Sequence, residues 1–132
     1  SLFLNTINFI YYLNNNEKYW IVKYIRWELK FLSELGFGLD LSKCAVTGST
    51  KDLQFISPKS GRAVSTGGAG EWRNKLFILP KFFLLDNEFT DDKSELLKGI
   101  KITTFFLNRY VSSIGLELPD VRDRFTNKLH KL

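Results

Sequence analysis

The sequence is poor in the residues that build disulfides, metal sites and catalytic pairs. Its 132 residues include one Cys, one His and no Met. A single Cys excludes an internal disulfide framework, so a reducing cytoplasm is the expected compartment. One thiol and one imidazole, His130, are too few for a zinc site. No nucleophile–base pair or paired-acid motif is present either, so we expect a protein that is not an enzyme and has no cofactor.

Long apolar runs and a signal peptide are also missing. No run approaches the roughly 20 apolar residues that a membrane span requires, so no membrane partner is expected. The apolar pattern at residues 2–13 contains Asn5, Thr6 and Asn8 and has no positively charged start, unlike a signal peptide. The missing initiator Met is typical of a fragment of a longer protein.

Aromatic and basic residues, by contrast, are plentiful. Hydrophobic residues make up 44% and aromatic residues 15% of the chain, enough for one core with a small satellite subdomain. The formal net charge of +5 favours acidic partners such as nucleic acid or an acidic peptide. Small basic domains without a nucleic-acid role are also common, so the clustering of the charges matters more than their sum.

Apolar periodicity predicts several helices. The clearest pattern runs from Trp20 to Leu35, with aliphatic residues on one face and aromatic residues on an adjoining stripe. Gly36 can then take the left-handed conformation that ends a helix in a Schellman motif. A second pattern runs from Leu97 to Ile114, and a last helix is predicted to open at Pro119. A short helix-like pattern also covers residues 2–13.

Two details qualify the helix over Leu97 to Ile114. Asp92 with Glu95 forms a possible N-cap pair at its start. Gly99 costs about 1 kcal/mol relative to Ala in a helix interior. We therefore interpret Gly99 as a point of close packing.

A β-hairpin is predicted between the helices. Leu53 to Ser57 reads as a strand, residues 58–61 as a turn, and Arg62 to Ser65 as the return strand. The glycine-rich run 66–70 is predicted as a loop, and no Lys-Ser/Thr pair follows it, which excludes a P-loop. A lone hairpin is marginal in water. Its apolar packing is expected to come from Leu53, Phe55, Val64 and Trp72.

This hairpin segment has the layout of a four-cysteine zinc ribbon that lacks its ligands. Such a ribbon needs two Cys-x-x-Cys knuckles, so that four thiolates converge on one ion. The first knuckle keeps Cys44, with Thr47 at the second thiol position, and the second knuckle falls at Ser65 and Gly68. No metal is expected with these residues, and Cys44 is interpreted as a packing residue.

A basic stripe lies on the helix over Trp20 to Leu35. Lys23, Arg26 and Lys30 fall opposite its aliphatic face and can contact phosphates or carboxylates. The same spacing is common on helix faces that meet only solvent. The aromatic residues next to the stripe, Trp27 and Phe31, fit either a binding pocket or the core.

Glu28 falls within the aliphatic face of the same helix. A buried carboxylate is costly unless it is paired, so we predict an ion pair with Arg109 or Arg122. The alternative is that Glu28 lies at the rim of the core and is solvated.

Three sequence runs are informative: LGFG at 35–38, DLSKCAVTG at 40–48 and FISPKSGRAV at 55–64. These runs resemble the bacterial DNA recombination and repair protein RecO family. The resemblance extends over Trp20 to Leu35 and, more weakly, over Leu96 to Phe125. Many members carry four cysteines around this hairpin and others have lost them, so the chain resembles a zinc-free branch.

The resemblance implies a mainly α fold: a helical bundle with a small β-hairpin, a degenerate zinc-ribbon-like subdomain. The expected organisation is N-terminal helices in 1–43, the hairpin in 44–79, and C-terminal helices in 80–132 that pack on the first. The family also has an N-terminal oligonucleotide-binding barrel, which this sequence does not contain. The chain is therefore expected to be the C-terminal part of such a protein.

The family's role implies the function and the partners. A recombination mediator helps to load a strand-exchange protein onto single strands coated by the single-stranded DNA-binding protein SSB. The implied partners are the acidic SSB C-terminal tail, RecR and single-stranded DNA, in a cytoplasmic, nucleoid-associated setting and without a small-molecule substrate. The alternative is a helical protein-interaction module without DNA affinity. The candidate contacts for DNA or the SSB tail are Lys23, Arg26, Trp27, Lys30, Phe31, Arg122 and Arg124.

Overall fold

The computed structural model describes residues 19–117, 122–123 and 126–127. Over these residues the fold is α-rich with a small antiparallel sheet, as predicted. The helices are α1 (Trp20–Glu34), α2 (Thr66–Ala69) and α3 (Lys93–Ser113), and the strands are β1 (Leu53–Ile56), β2 (Ala63–Ser65) and β3 (Phe77–Ile78). The helix predicted at residues 2–13 lies outside the described residues. Of the helix predicted from Pro119, residues 122–123 and 126–127 are described, and they are helical. The division at residues 43 and 79 stays a prediction.

The end of α1 has the predicted Schellman geometry. Gly36 has a φ of +85°. Its N–H donates to the carbonyl of Ser33 at 3.1 Å, and the Phe37 N–H donates to the carbonyl of Leu32 at 2.9 Å. This turn directs the following segment back across α1. The buried face of α1 is formed by Ile21, Val22, Tyr24, Ile25, Glu28 and Leu32.

The start of α3 is capped by Asp92, as predicted. The Asp92 carboxylate accepts from the Ser94 N–H at 3.0 Å. Glu95 does not complete the cap pair, because one of its oxygens accepts from the Lys81 N–H at 3.3 Å and the other pairs with Lys98. Glu95 therefore ties α3 to the 3-10 turn over Lys81–Phe83.

Gly99 is a point of close packing, as predicted. A Cβ atom there would lie 2.7 Å from the ring of Phe82, 3.2 Å from Phe83 and 3.4 Å from Ile25. Glycine thus lets α3 approach both α1 and the 3-10 turn. At the other end of the predicted face, Ile114 is half exposed because it follows the last helical residue.

The predicted hairpin is present and gains a third strand. The sheet order is β2-β1-β3, with both pairings antiparallel. β1 aligns Phe55 with Val64 on one side and with Ile78 on the other. The added strand supplies the support that a lone hairpin lacks.

Two expectations about the segment after β2 are corrected. The run at 66–70 is not a plain loop, because the Ser65 hydroxyl accepts from the Gly68 N–H at 3.0 Å and caps the single turn of α2. Trp72 does not pack on the hairpin, since its side chain is 63% exposed. Leu53 and Val64 are buried as expected.

No helix within the described residues combines the length and the apolar character needed to cross a membrane.

Candidate functional site

The predicted binding residues of α1 lie on two different flanks of the helix. Arg26 and Lys30 line a groove, whereas Trp27 and Phe31 do not belong to its lining. The rings of Trp27 and Phe31 stack instead, with centroids 5.4 Å apart. Lys23 is exposed on the ridge between the two flanks. The structure therefore separates the predicted basic and aromatic groups.

The groove has an apolar floor and a charged rim. Its volume is about 360 Å³. Lys30 supplies an exposed cation and Asp86 a carboxylate, so the rim carries both signs of charge. The other lining residues are Arg26, Leu29, Ser33, Leu39, Leu41, Phe82 and Phe83.

Leu39 and Leu41 reach the groove because the chain between them is attached to the sheet. The Asp40 N–H donates to the carbonyl of Gly61 at 3.0 Å, and the Asp40 carbonyl accepts from the Ala63 N–H at 2.9 Å. These hydrogen bonds hold the segment after α1 beside the hairpin. The groove is thus built from α1, this segment and the 3-10 turn over Lys81–Phe83.

Arg26 forms the wall of the groove and is not an open cation. Its guanidinium donates to the carbonyls of Phe82 at 3.2 Å, Leu85 at 2.7 Å and Glu88. It also lies 4.9 Å from the ring centroid of Phe89. One side chain of α1 therefore anchors the segment 82–89.

Electrostatics act on Arg26 in two directions. Burial lowers the pKa of its guanidinium, while the carboxylates of Asp86 and Glu88 act in the opposite direction. The group keeps two acidic neighbours in addition to its carbonyl partners. Among the groove residues predicted from the sequence, Lys30 is thus the cation presented to solvent.

Trp27 and Phe31 belong to an aromatic row on the other flank of α1. Tyr24 and Trp27 stack with centroids 6.3 Å apart. Phe31 meets Tyr110 of α3 edge to face at 6.4 Å, and Phe37 lies 5.3 Å from the same ring. Phe31 also packs against the buried core. The row ties α1 to α3, which favours the core interpretation of these aromatic residues.

Arg122 lies in the core, where it pairs with Glu28. Its Nε donates to Glu28 Oε2 at 2.7 Å and its Nη2 to Glu28 Oε1 at 3.1 Å. The hydroxyls of Thr103 and Thr104 accept from the same guanidinium at 3.2 and 2.8 Å. The predicted Glu28–Arg122 pair is confirmed, and the solvated-rim alternative is wrong because Glu28 is fully buried.

This burial has two consequences. Arg122 is only 1% exposed, so it is not presented to DNA or to a peptide as the sequence suggested. Burial opposes its charge, but Glu28 outweighs that effect and the pKa of Arg122 is raised. Arg109, the other predicted partner, instead donates to the carbonyls of Pro58 and Lys59 in the β1–β2 turn. Arg124 lies outside the described residues.

Cys44 is buried in a cradle of hydrogen-bond donors. Its Sγ accepts from the N–H groups of Val46 and Thr47, each at 3.4 Å, and from the N–H of Ser65 at 3.2 Å. The Ser65 hydroxyl donates to it at 3.3 Å. Burial acts to raise the pKa of the thiol, but the hydrogen bonds from Ser65 and Thr47 outweigh it and lower the pKa to about 6.

The four predicted knuckle positions converge around this sulfur. A Cβ atom at Gly68 would lie 2.7 Å from Cys44 Sγ and 3.2 Å from Ser65 Oγ. Thr47 contributes a backbone N–H to the same sulfur. Over the part of the chain that the structure describes, no group of three or more His, Cys, Asp or Glu residues is arranged to hold a metal ion.

Most of the groove could not be predicted from the sequence. Its floor depends on Leu39 and Leu41 of an irregular segment and on Phe82 and Phe83 of a short 3-10 turn, and neither segment shows apolar periodicity. Asp86 could not be predicted as a groove residue either, since an acid in a loop has no characteristic spacing. The available hints were Arg26 and Lys30, whose helix positions face away from the buried residues of α1.

Comparison with known proteins gives one family and a consistent set of relatives. The family model for "Recombination protein O C terminal" matches residues 1–117. No solved structure gives a significant match.

The curated relatives are bacterial proteins named DNA repair protein RecO. The protein of Cereibacter sphaeroides is 46% identical over 112 residues, which are 83% of this chain and 46% of the relative. That of a Ruegeria species is 43% identical over 119 residues, 89% of this chain and 48% of the relative. That of Rhizobium leguminosarum is 43% identical over 103 residues, 77% of this chain and 40% of the relative. The chain thus spans about half the length of these relatives or less.

Proposed function

The chain belongs to the RecO family, whose C-terminal domain it matches over residues 1–117, and on that premise we propose that it acts in DNA repair and homologous recombination. The proposed role is non-enzymatic. We propose that the chain is the C-terminal part of a recombination mediator, which helps to load a strand-exchange protein onto SSB-coated single strands. The observation that carries this proposal is the family match over most of the chain.

Within that role, the groove beside Lys30 is proposed to dock an acidic peptide with a terminal Phe, the chemistry of the SSB tail. Such a ligand needs an apolar surface for its ring and a cation for its carboxylates. Leu29, Leu41 and Phe83 offer the first and Lys30 offers the second. The groove volume of about 360 Å³ falls within the range of ligand pockets.

The sulfur cradle supports a structural function for the hairpin. We propose that it is a zinc-ribbon-like subdomain in which hydrogen bonds to Cys44 replace the metal. The partners of the Cys44 sulfur are backbone amides and a serine hydroxyl, none of which is a general base. These partners support the proposal that the Cys44 thiol is not a catalytic nucleophile.

Single-stranded DNA and RecR are the other proposed partners, in a cytoplasmic setting near the nucleoid. The net charge of +5 supports an anionic partner. The alternative is a protein-interaction module without DNA affinity. It is favoured by the apolar floor of the groove, which suits a peptide side chain better than a phosphate backbone.

The test is a fluorescence-anisotropy titration with a labelled acidic peptide ending in Phe, at low and moderate salt. Lys30→Glu is expected to weaken peptide binding at least about tenfold, because it places a second carboxylate in the groove beside Asp86. Lys59→Glu is the matched control, since Lys59 is an exposed lysine of the β1–β2 turn and does not line the groove.

The outcomes separate the candidates. Loss of binding in Lys30→Glu with normal binding in Lys59→Glu supports the groove. Equal affinity in the two variants rejects the groove as the docking site. A parallel titration with labelled oligothymidylate distinguishes a mediator domain, which binds both ligands, from a module that binds only the peptide.

A further inference from the structure

A second basic surface lies on the outer face of α3. It consists of Lys93, Lys98 and Lys101 of α3 together with Trp72, Arg73 and Lys75 of the 3-10 turn over Gly70–Lys75, and is called the α3 track below. None of these residues lines the groove beside Lys30.

The α3 track points away from α1. At about 100° per residue, Lys98 and Lys101 lie about 100° or more around α3 from both Gly99 and Thr103. Gly99 approaches Ile25 of α1, and Thr103 accepts from the Arg122 that binds Glu28 of α1. The groove and the α3 track are therefore on different sides of the α1–α3 pair.

Aromatic contacts join the two parts of the α3 track. The Lys75 ammonium lies 5.0 Å from the centroid of the Trp72 ring. The Lys101 ammonium lies 5.9 Å from the ring of Phe77, which follows Lys75 by two residues, about 7 Å of extended chain. Phe77 is fixed against α3 by Phe105, with ring centroids 5.2 Å apart. The cations of the turn therefore lie next to those of the helix, and together they form one surface.

The helix part of the α3 track is a shallow depression. Its volume is about 450 Å³, and its lining includes Lys93, Ser94, Leu97, Lys98 and Lys101. From Lys93 to Lys101 the helix rises about 12 Å, so its three cations are spread over about two turns.

Cations outnumber acids on this surface. The acids next to its members are Glu71 in the turn and Asp91, Asp92 and Glu95 at the start of the helix. Asp92 is engaged as the N-cap, where it accepts from the Ser94 N–H at 3.0 Å. Glu95 is already engaged, because it accepts from the Lys81 N–H and pairs with Lys98 at 3.3 Å. The five cations of the track therefore outnumber these four acids by one.

Trp72 gives this surface a second kind of contact. Its indole is 63% exposed although burial of an aromatic ring is strongly favourable. An exposed aromatic ring beside cations is the arrangement on which unpaired bases stack while their phosphates meet lysines. Stacking of this kind requires a base that is not already stacked in a duplex.

We propose that the α3 track binds single-stranded nucleic acid, with phosphates along Lys75, Lys98 and Lys101 and one base stacked on Trp72. The proposal rests on the proposed function, and it deepens that function by assigning DNA and the acidic peptide to different surfaces.

The test is a titration of the chain with labelled oligothymidylate over a range of salt concentrations. Each of Lys75→Ala and Lys101→Ala is expected to reduce the slope of log affinity against log salt by about 0.7, the value for one lost phosphate contact on a single strand. Trp72→Ala is expected to weaken binding at least about fivefold, and Trp72→Phe to retain most of it. Helicity by circular dichroism checks that each variant is folded.

Two controls locate the site. Lys59→Ala and Lys51→Ala remove exposed lysines outside both the α3 track and the groove, and they are expected to leave oligothymidylate affinity within about twofold of the wild type. Binding is also expected to quench part of the intrinsic fluorescence of the wild type, and this quenching should be lost in Trp72→Phe because the stacked indole is gone.

The results distinguish this proposal from the proposed function. If Lys30→Ala abolishes oligothymidylate binding and the track variants do not, the α3 track is rejected while the DNA role stands. If the wild type binds the acidic peptide but no oligothymidylate, the track is again rejected and tail docking stands. If the wild type binds neither ligand, both proposals fail.

Discussion

At the residue scale, Glu28 and Arg122 stabilise each other where either charge alone would be costly. Arg122→Leu leaves a buried carboxylate without its cation, so we expect the free energy of unfolding to fall by about 3–5 kcal/mol. The double variant Glu28→Met with Arg122→Leu should lose less, because no unpaired charge remains. Urea unfolding followed by circular dichroism measures both losses.

The comparison has an internal control. Arg73→Leu removes an exposed arginine and is expected to change the free energy of unfolding by about 0.5 kcal/mol or less. An Arg122→Leu loss no larger than that of Arg73→Leu would contradict a stabilising role for the buried pair.

Cys44 is expected to make stability depend on pH near neutrality. Hydrogen bonds to its sulfur lower the pKa to about 6, whereas an unfolded thiol titrates at about 8.5. The folded state therefore holds the thiolate where the unfolded state still holds a proton. The resulting stabilisation is complete above the unfolded pKa and is lost as the pH falls through about 6.

The measurement compares the wild type with Cys44→Ser in reducing buffer. Between these two pKa values, the free energy of unfolding of the wild type should rise relative to the variant by at most about 1.4 kcal/mol per pH unit. The thiolate absorbance near 240 nm should show a step around pH 6, since the chain has a single Cys. A step near the unfolded value instead would disprove the role of the sulfur cradle.

At the element scale, Gly99 sets how closely α3 approaches the 3-10 turn. Ala is the better helix former by about 1 kcal/mol, but its Cβ would lie 2.7 Å from the ring of Phe82. That ring is 1% exposed and packed in the core, so we expect the cost of overpacking, about 1–3 kcal/mol, to exceed the gain in helix propensity. We expect Gly99→Ala to be net destabilising in thermal and urea unfolding.

Gly67 in α2 is the matched control, because a Cβ there meets no atom within 4 Å. Gly67→Ala is expected to be neutral or slightly stabilising. Equal effects of the two substitutions would show that helix propensity, and not packing, decides both sites.

The elements also differ in how far the sequence predicts them. α1 and its Schellman end follow from periodicity and one glycine, and the hairpin follows from its turn residues. The one-turn helix α2 was missed because a single serine hydroxyl caps a glycine-rich run that has almost no helix propensity. The groove wall was missed because Arg26 holds irregular chain 56–62 residues away, a contact without local pattern.

At the scale of the whole molecule, the net charge of +5 does not say where the cations act. In the folded chain Arg122 is buried in the core, where it binds Glu28, and Arg26 donates hydrogen bonds to backbone carbonyls. The cations that remain at the surface include Lys30 beside the groove and the α3 track on the other side of the α1–α3 pair. The net charge calculated from composition is therefore larger than the charge of either surface. The groove and the α3 track can be told apart only from the arrangement of the helices.

Because the two surfaces are separate, we expect the acidic peptide and oligothymidylate to bind the same chain at the same time. Saturation with the acidic peptide is expected to leave the affinity for labelled oligothymidylate within about twofold, because the ligands share no contact residue. By the same linkage, saturation with oligothymidylate should leave peptide affinity unchanged. Anisotropy titrations in both orders measure the coupling, with Lys30→Glu as the control that removes the peptide alone. Mutual exclusion of the two ligands would mean that a single basic surface serves both.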